Sequence, residues 1–477
     1  MTKVLDDKPF EKNKKTDPNP ITTDSDQHIV IIGNGISGVT TARFIRKLSN
    51  YKITIISGET EHFFSRTALM YIYMGHMKYE HTKPYEDWFW EKNRIDLVFE
   101  YVNKVNTKDK TLVLNNKETI NYDKLVIACG STPNKFGWPG QDLEAVQGMY
   151  TRQDLDGMEK YSEGLEQAVI VGGGLIGIEM AEMFHSRNIP VTFLVREKSY
   201  WSNVLPSEES AMINRHILES HIDLQLGTEL KEILSDKNGK ARAVITSEGD
   251  EISCQFVGLT AGVRPNIQFL KDSENCEVEL GRGVLVNEYL ETNVPDVYAI
   301  GDCAQLQNPS EGRRPIEAIW YTGRMMGETV AYNICGKKIA YKPRLWFNSA
   351  KFFEIEYQVY GDVQAHPPEN HASVYWEHAD GRKSIRIVFD RESKAVLGFN
   401  LMGVRYRHEV CEKWILDQTT IEDVLPNLGL ANFDPEFFKE YEQEIISIYN
   451  KKYNANVQFK RRRSLTGAIQ FLKGKFS

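Results

Sequence analysis

A glycine-rich turn occurs twice in this chain, each time in the same local setting. The first copy, Gly33-x-Gly35-x-x-Gly38, follows the apolar run at residues 29–32 and precedes apolar residues at helical spacing. The second copy, Gly172-Gly173-Gly174-x-x-Gly177, begins 139 residues later (172 − 33) after a similar run. A continuous β-branched run suits a strand that is buried on both faces of a parallel sheet. The repeat therefore predicts an α/β chain with two strand–turn–helix units.

The spacing of these glycines is typical of turns that hold the pyrophosphate of a dinucleotide. The first glycine permits a tight turn, the second lets the backbone approach the phosphates, and the third lets helix and strand pack closely. The N-terminus of the following helix offers unpaired N–H groups and the positive end of its dipole. Glu59 follows Gly35 by 24 residues (59 − 35), just past a second apolar run, where an acid binds a ribose hydroxyl.

Two dinucleotide-binding units in one chain predict two cofactors. A flavin paired with a nicotinamide lets hydride transfer feed a bound redox group. We expect FAD rather than FMN, because Glu59 is placed for an adenosine ribose that FMN lacks. The nicotinamide is NADH or NADPH: Glu197 favours a free ribose diol and Arg196 favours a 2′-phosphate, so both remain open.

Composition and charge exclude several classes of protein. The 477 residues are 41% apolar and 26% charged, which is ordinary for globular domains. No run of about 18 uncharged apolar residues occurs, and the N-terminal segment lacks the apolar core of a secretory signal.

The closest cysteines, Cys254 and Cys276, are 22 residues apart (276 − 254), so we expect no metal site and no disulfide scaffold. The net charge of -8 argues against nucleic-acid binding, and we expect a cytoplasmic protein.

The chain divides by composition and pattern into six segments. Strand-like runs fill residues 341–402, and residues 408–417 and 435–450 have helical patterns. We predict a disordered tail at 1–27, a first FAD-binding part at 28–151, an NAD(P)H-binding domain at 152–255, a second FAD-binding part at 256–340, an α+β C-terminal domain at 341–453, and a basic amphipathic tail at 454–477.

Three further motifs occur in a characteristic order. They are YDKLVIACGS at residues 122–131, AGVRPN at 261–266 and VYAIGD at 297–302. With the two glycine turns, they make the chain resemble the two-dinucleotide FAD/NAD(P)H oxidoreductases of the pyridine nucleotide-disulfide reductase superfamily. Within it, the chain is similar to the branch that holds ferredoxin and rubredoxin reductases, the flavin part of NAD(P)H nitrite reductases and apoptosis-inducing factor.

The resemblance implies two Rossmann-like domains and a set of site residues. It implies that Asp302 binds the ribityl chain of the flavin and that Trp320 covers the isoalloxazine. Catalytic roles are expected for Glu179, Arg66 and Trp320. Together with the glycine turns, it predicts these cofactor-binding residues: Gly33, Gly35, Ser37, Gly38, Glu59, Arg66, Val102, Ala128, Gly130, Gly301, Asp302, Ala318, Gly172, Gly174, Leu175, Ile176, Gly177, Glu179, Arg196, Glu197 and Gly262.

The chain also departs from the superfamily pattern. The disulfide reductases and NADH oxidases carry redox cysteines in the first helix or near residues 61–69, and this chain has none there. The resemblance then implies that electrons pass to an external acceptor, either an iron–sulfur protein, another redox subunit or a quinone. Tyr71 replaces the lysine that pairs with the acid matching Glu179, and we expect Arg66 to take its place. The alternative is an NAD(P)H-sensing flavoprotein that acts through partner binding with little turnover.

The last 24 residues are basic. Lys460 begins a four-residue basic run, and Leu465, Ala468, Ile469, Leu472 and Phe476 would form one apolar stripe on a helix. A basic amphipathic helix binds anionic membrane surfaces, so residues 460–476 predict contact with the inner face of a membrane. The alternative is that this tail docks on the acidic body of the protein or on an acidic partner.

Overall fold

The computed structural model of the chain describes residues 27–433 and 439–460. The predicted tail up to residue 26 and the predicted amphipathic helix beyond Lys460 lie outside the described residues. The helices of the described part are α1 Ile36–Leu48, α2 Leu69–Tyr73, α3 Trp88–Lys92, α4 Arg152–Ser162, α5 Leu175–Ser186, α6 Ser207–Glu219, α7 Gln268–Lys271, α8 Trp320–Ile334, α9 His408–Leu416, α10 Ile421–Val424 and α11 Glu442–Tyr453.

Strands and helices are interspersed along the chain, and the last five strands follow one another without a helix between them. They are β1 His28–Ile32, β2 Lys52–Ile56, β3 Ile95–Val98, β4 Val102–Asn106, β5 Thr111–Leu114, β6 Thr119–Asn121, β7 Lys124–Ile127, β8 Ser131–Pro133, β9 Val146–Gln147, β10 Ala168–Val171, β11 Val191–Val195, β12 Asp223–Leu226, β13 Leu230–Ser235, β14 Ala241–Thr246, β15 Glu251–Ser253, β16 Phe256–Leu259, β17 Val263–Pro265, β18 Val284–Val286, β19 Val297–Ala299, β20 Ala304–Leu306, β21 Phe347–Phe352, β22 Ile355–Gly361, β23 His371–Glu377, β24 Ser384–Asp390 and β25 Val396–Met402.

The first sheet has five parallel strands in the order β19-β7-β1-β2-β3. Its central strand buries Ile29, Val30 and Ile31 completely, as the apolar run predicts. Strand β19 joins this sheet only after the chain has formed a second one, so the first unit consists of two separate segments. Because parallel strands end at the same edge, the loops after β1, β7 and β19 meet there.

The second sheet repeats this arrangement. Its five parallel strands have the order β12-β11-β10-β16-β9. The central strand β10 is wholly buried, and α5 starts directly after the second glycine turn. The mixed α/β architecture with two Rossmann-like sheets confirms the predicted fold class.

Two long helices of the first unit cross closely. A Cβ at Gly327 of α8 would lie 2.5 Å from the Ser37 carbonyl oxygen of α1, so only glycine permits this approach. The Thr41 hydroxyl also donates to the Gly327 carbonyl at 3.2 Å. This contact brings the first turn of α8, and therefore Trp320, beside the first glycine turn.

The C-terminal domain is an antiparallel sheet with the order β21-β22-β25-β24-β23, packed against α9, α10 and α11. Helix α9 confirms the helical pattern at 408–417. The pattern at 435–450 was wrong in its bounds, because α11 begins at Glu442 and ends at Tyr453. Acidic residues fill its first turn, and Asn454 ends it in the left-handed conformation with φ of 52°. No helix among the described residues is both long and apolar enough to cross a membrane.

Candidate cofactor-binding and active site

A large cleft opens where the strand ends of the first sheet face the start of α5. It holds about 2080 Å³ of space between protein atoms, part of it open to solvent. The predicted residues that line it are Gly33, Gly35, Ser37, Glu59, Arg66, Val102, Ala128, Gly130, Leu175, Ile176, Glu179, Asp302, Ala318 and Trp320. The structure therefore brings together residues that are up to 287 positions apart in the chain (320 − 33).

The first glycine turn has the shape that a dinucleotide requires. Gly33 has φ of +109°, and a Cβ there would overlap the Ala128 carbonyl oxygen. A Cβ on Gly38 would overlap the Gly33 carbonyl in the same way, so this glycine serves packing and does not line the cleft. A Cβ on Gly35, in contrast, would meet no atom within 4 Å, and no side chain caps the helix that starts after it. The open space and the uncapped N–H groups fit the pyrophosphate of FAD.

The second glycine turn repeats this geometry at the start of α5. Gly172 has φ of +119°, and a Cβ there would lie 2.7 Å from the Thr260 carbonyl oxygen. A Cβ on Gly177 would overlap the Gly172 carbonyl oxygen, whereas a Cβ on Gly174 would face open space. Gly174 is also the N-cap of α5, and no side chain there accepts a hydrogen bond from the helix. A second dinucleotide fits this turn for the same physical reasons.

The remaining predicted residues lie outside the cleft lining. A Cβ on Gly301 would overlap the Ser37 hydroxyl, and a Cβ on Gly262 would approach the Asn134 side chain. Arg196 and Glu197 follow β11 and form an ion pair with each other at 3.0 Å. The Arg196 side chain is 68% exposed. Both charges therefore stand at the edge of the second unit, and their roles toward a ribose remain predictions.

Asp302 is held by two hydroxyl groups that the sequence did not indicate. The Ser131 and Tyr150 hydroxyls lie 3.2 and 3.3 Å from its Oδ2 atom. Burial raises the pKa of Asp302, whereas these hydroxyls and the Arg66 guanidinium lower it. A carboxylate in this position, at the cleft wall, fits a hydroxyl-rich ribityl chain as its partner.

Arg66 does not pair with Glu179, so the expected replacement of the lysine was wrong. Its guanidinium donates to both carboxylate oxygens of Glu59, at 2.8 and 2.6 Å, and stacks over the Tyr150 ring at 4.5 Å. The Arg152 backbone N–H also donates to Glu59 at 3.0 Å. This cluster joins the end of β2 to the start of α4, and a ribose hydroxyl at Glu59 would have to share its oxygens with Arg66.

Glu179 points into the cleft and makes no hydrogen bond or ion pair with the described residues. Burial, together with the charge of nearby Glu182, raises its pKa to about 7. An isolated carboxyl group that titrates near neutrality is a feature of functional sites.

Two cysteines meet at the ends of β7 and β19, a contact that spacing alone did not predict. Cys129 lines the cleft and Cys303 is fully buried. The Cys129 thiol donates to the Asn266 carbonyl oxygen at 3.1 Å. The neighbouring Cys303 thiol, together with burial, raises the pKa of Cys129, and the Cys129 thiol lowers the pKa of Cys303. Cys303 also lies 3.3 Å from the Ile300 carbonyl oxygen.

Comparison with known proteins decides the family. Residues 27–328 match the family described as pyridine nucleotide-disulphide oxidoreductase. The chain belongs to this family. Members use FAD and a nicotinamide dinucleotide, so the cofactors are FAD and NADH or NADPH. When bound, FAD would accept a hydride, and the cleft residues at the first glycine turn would hold it.

Individual relatives are distant. The NADH-rubredoxin oxidoreductase of Clostridium acetobutylicum is 25% identical over 84% of this chain and 99% of its own length. The assimilatory nitrate reductase electron transfer subunit of Bacillus subtilis is 24% identical over 78% of this chain. This chain spans only 47% of that subunit and 34% of the NAD(P)H nitrite reductase of the same organism. A NAD-dependent persulfide reductase from A. fulgidus superposes with a TM-score of 0.78 at 23% identity, over 90% of this chain and 83% of its own.

Proposed function

We propose that this flavoprotein passes electrons from NAD(P)H through FAD to an external protein acceptor, without a redox-active disulfide at the position usual in the superfamily. The segment after β2 carries this proposal. Its side chains Phe63, Phe64, Arg66, Thr67 and Leu69 line the cleft, and none of them bears a thiol. Electrons that reach the flavin therefore have no thiol in this segment to reduce.

The names of several relatives support a protein acceptor. One relative is a rubredoxin oxidoreductase and another is an electron transfer subunit. A putidaredoxin reductase bound to putidaredoxin has the same fold, with a TM-score of 0.73. Trp320 stands at the cleft wall with 36% of its surface exposed, which gives a partner access close to the flavin. We therefore favour a small iron–sulfur protein over a quinone.

The second candidate is an NAD(P)H sensor with slow turnover. Glu179 favours it, because the cation that would pair with this carboxylate in related reductases is absent from position 71. Steady-state oxidation of NADH and NADPH, with rubredoxin, ferricyanide and a short-chain quinone as acceptors, separates the two functions. Fast turnover with rubredoxin supports the proposal. A long-lived charge-transfer band with slow turnover for every acceptor would support the sensor instead.

The absence of a disulfide step is tested with the cysteine that lines the cleft. Cys129→Thr removes the thiol pair and leaves a side chain of similar size at this position. We expect rubredoxin-linked turnover to persist in this variant. A variant that is reduced by NADH but no longer passes electrons onward would show that the thiol pair lies on the route.

A further inference from the structure

A lysine of the C-terminal domain forms an ion pair with α5, the helix whose first turns line one side of the cleft. Lys351 of β21 places its Nζ atom 2.6 Å from the Oε1 atom of Glu182. Glu182 is only 5% exposed, and it stands one helical turn after Glu179 on α5. The ion pair therefore joins two domains directly below a carboxylate that lines the cleft.

Lys351 also approaches the position that carries a lysine in related reductases. Its Nζ atom lies 5.8 Å from the centre of the Tyr71 ring, within the range of a cation–π contact. Tyr71 belongs to α2, which packs on α5. In this chain α2 has Tyr71 where related reductases have a lysine, and the nearby cation is Lys351 of β21. Lys351 pairs with Glu182 and not with Glu179.

The environment of Glu182 makes this pairing decisive for its charge. Its Oε2 atom is buried without a hydrogen-bond partner among the described residues. Burial raises the pKa of Glu182 and Glu354 adds to this rise; Lys351 and the Phe353 backbone N–H offset only part of it, so the pKa stays above its usual value. An ionised carboxylate in such a place depends on the cation that pairs with it, here Lys351.

Glu179 responds to the charge of Glu182 because the two lie at i and i+3 on one helix. Besides Glu182, the titratable Tyr200 faces Glu179, and burial strongly raises the pKa of this tyrosine. Lys351 and Glu354 face the pair from the β21–β22 hairpin, and Tyr71 faces it from α2.

We propose that Lys351 is a positioning residue for the nicotinamide site: it keeps Glu182 ionised and thereby sets the charge of Glu179. This inference rests on the proposed function, in which the nicotinamide ring enters the cleft beside Glu179. An ionised Glu179 favours the cationic ring of the oxidised nucleotide over the neutral ring of the reduced one. Lys351 thus couples the C-terminal domain to nucleotide affinity.

The test follows the binding of oxidised nucleotide to the FAD-loaded protein as pH changes. Calorimetry with NAD⁺ or NADP⁺, whichever binds more tightly, is carried out between about pH 5.5 and about pH 8.5. In the wild type, affinity rises with pH around a midpoint near 7, and Glu179→Gln makes the profile flat. Lys351→Met leaves Glu182 without its cation, so Glu182 takes up a proton and repels Glu179 less. The midpoint then moves down by about one pH unit.

Matched variants separate this role from a merely structural one. Lys351→Arg keeps the cation and the wild-type midpoint, and Glu182→Gln reproduces the shift of Lys351→Met. Lys413→Met removes a lysine whose side chain is 73% exposed on α9, and its midpoint stays unchanged. A uniform loss of affinity in Lys351→Met without a moved midpoint overturns the role of Lys351. A wild type that binds neither nucleotide contradicts the proposed function as well.

Discussion

Removing one partner of the buried ion pair between α6 and β24 should strongly destabilise the protein. Arg386 donates from Nε and Nη2 to the two carboxylate oxygens of Glu209, at 2.7 and 2.8 Å. It also contacts Glu208 at 2.9 Å and the Ser373 hydroxyl at 2.9 Å. The Glu209 side chain is 0% exposed and that of Arg386 is 8% exposed. An almost completely buried charge pair thereby joins the second Rossmann-like unit to the C-terminal domain.

Arg386→Met removes the cation and leaves the Glu209 carboxylate buried, with the Asn400 amide still donating to it at 3.1 Å. Removing one partner of a buried pair costs about 3–5 kcal/mol. Arg242→Met is the control, since Arg242 and Glu251 are 49% and 50% exposed and such surface pairs contribute about 0–1 kcal/mol. Urea unfolding, followed by tryptophan fluorescence, measures both variants against the wild type.

The pH dependence of this penalty has a definite sign. Without Arg386, burial raises the pKa of Glu209 further above its value in the unfolded chain, so the folded state binds the proton more tightly. The penalty of Arg386→Met should therefore shrink as pH falls, and Arg386→Met/Glu209→Met should recover most of it. An Arg386→Met variant that is no less stable than Arg242→Met would refute this reasoning.

Four further predictions concern the cofactors and the tail. Gly174→Val keeps FAD but loses nicotinamide binding, because a side chain there fills open space over the second turn; loss of FAD from the folded variant would contradict separate sites. Asp302→Ala loses flavin, measured as FAD released per chain, and full retention would contradict its role at the ribityl chain. Thiol alkylation leaves flavin reduction by NAD(P)H intact, and complete loss after alkylation of one cysteine would contradict this. The full chain floats with anionic liposomes more than a truncation after Tyr453 does, and equal flotation removes the membrane proposal.

Local patterns predicted most of the framework. Both glycine turns and the strands before them follow from residues within about ten positions of each other. The turn itself requires a left-handed φ at Gly33 and an open backbone at Gly35. Glycine is the residue that meets both requirements, so the sequence alone indicates the turn. The fold class followed from the repeat because two such units leave few other arrangements.

Contacts between distant segments could not be predicted in this way. The partner of Arg66 depends on how the chain at Tyr150 and Arg152 returns to β2, which no local pattern encodes. The approach of Lys351 to Glu182 joins residues 169 positions apart and depends on domain packing. The contact between Cys129 and Cys303 arises only because β7 and β19 are neighbours in one sheet.

The central claim is that electrons from NAD(P)H pass through the flavin to an external acceptor. Anaerobic stopped-flow mixing of the FAD-loaded protein with NADH or NADPH, followed by oxidised rubredoxin, tests it most directly. We expect the visible flavin absorbance to bleach on the first mixing and to return on the second, at equal rates in the wild type and in Cys129→Thr. A flavin that neither nucleotide bleaches, or that stays bleached with rubredoxin, ferricyanide and quinone alike, would contradict the claim.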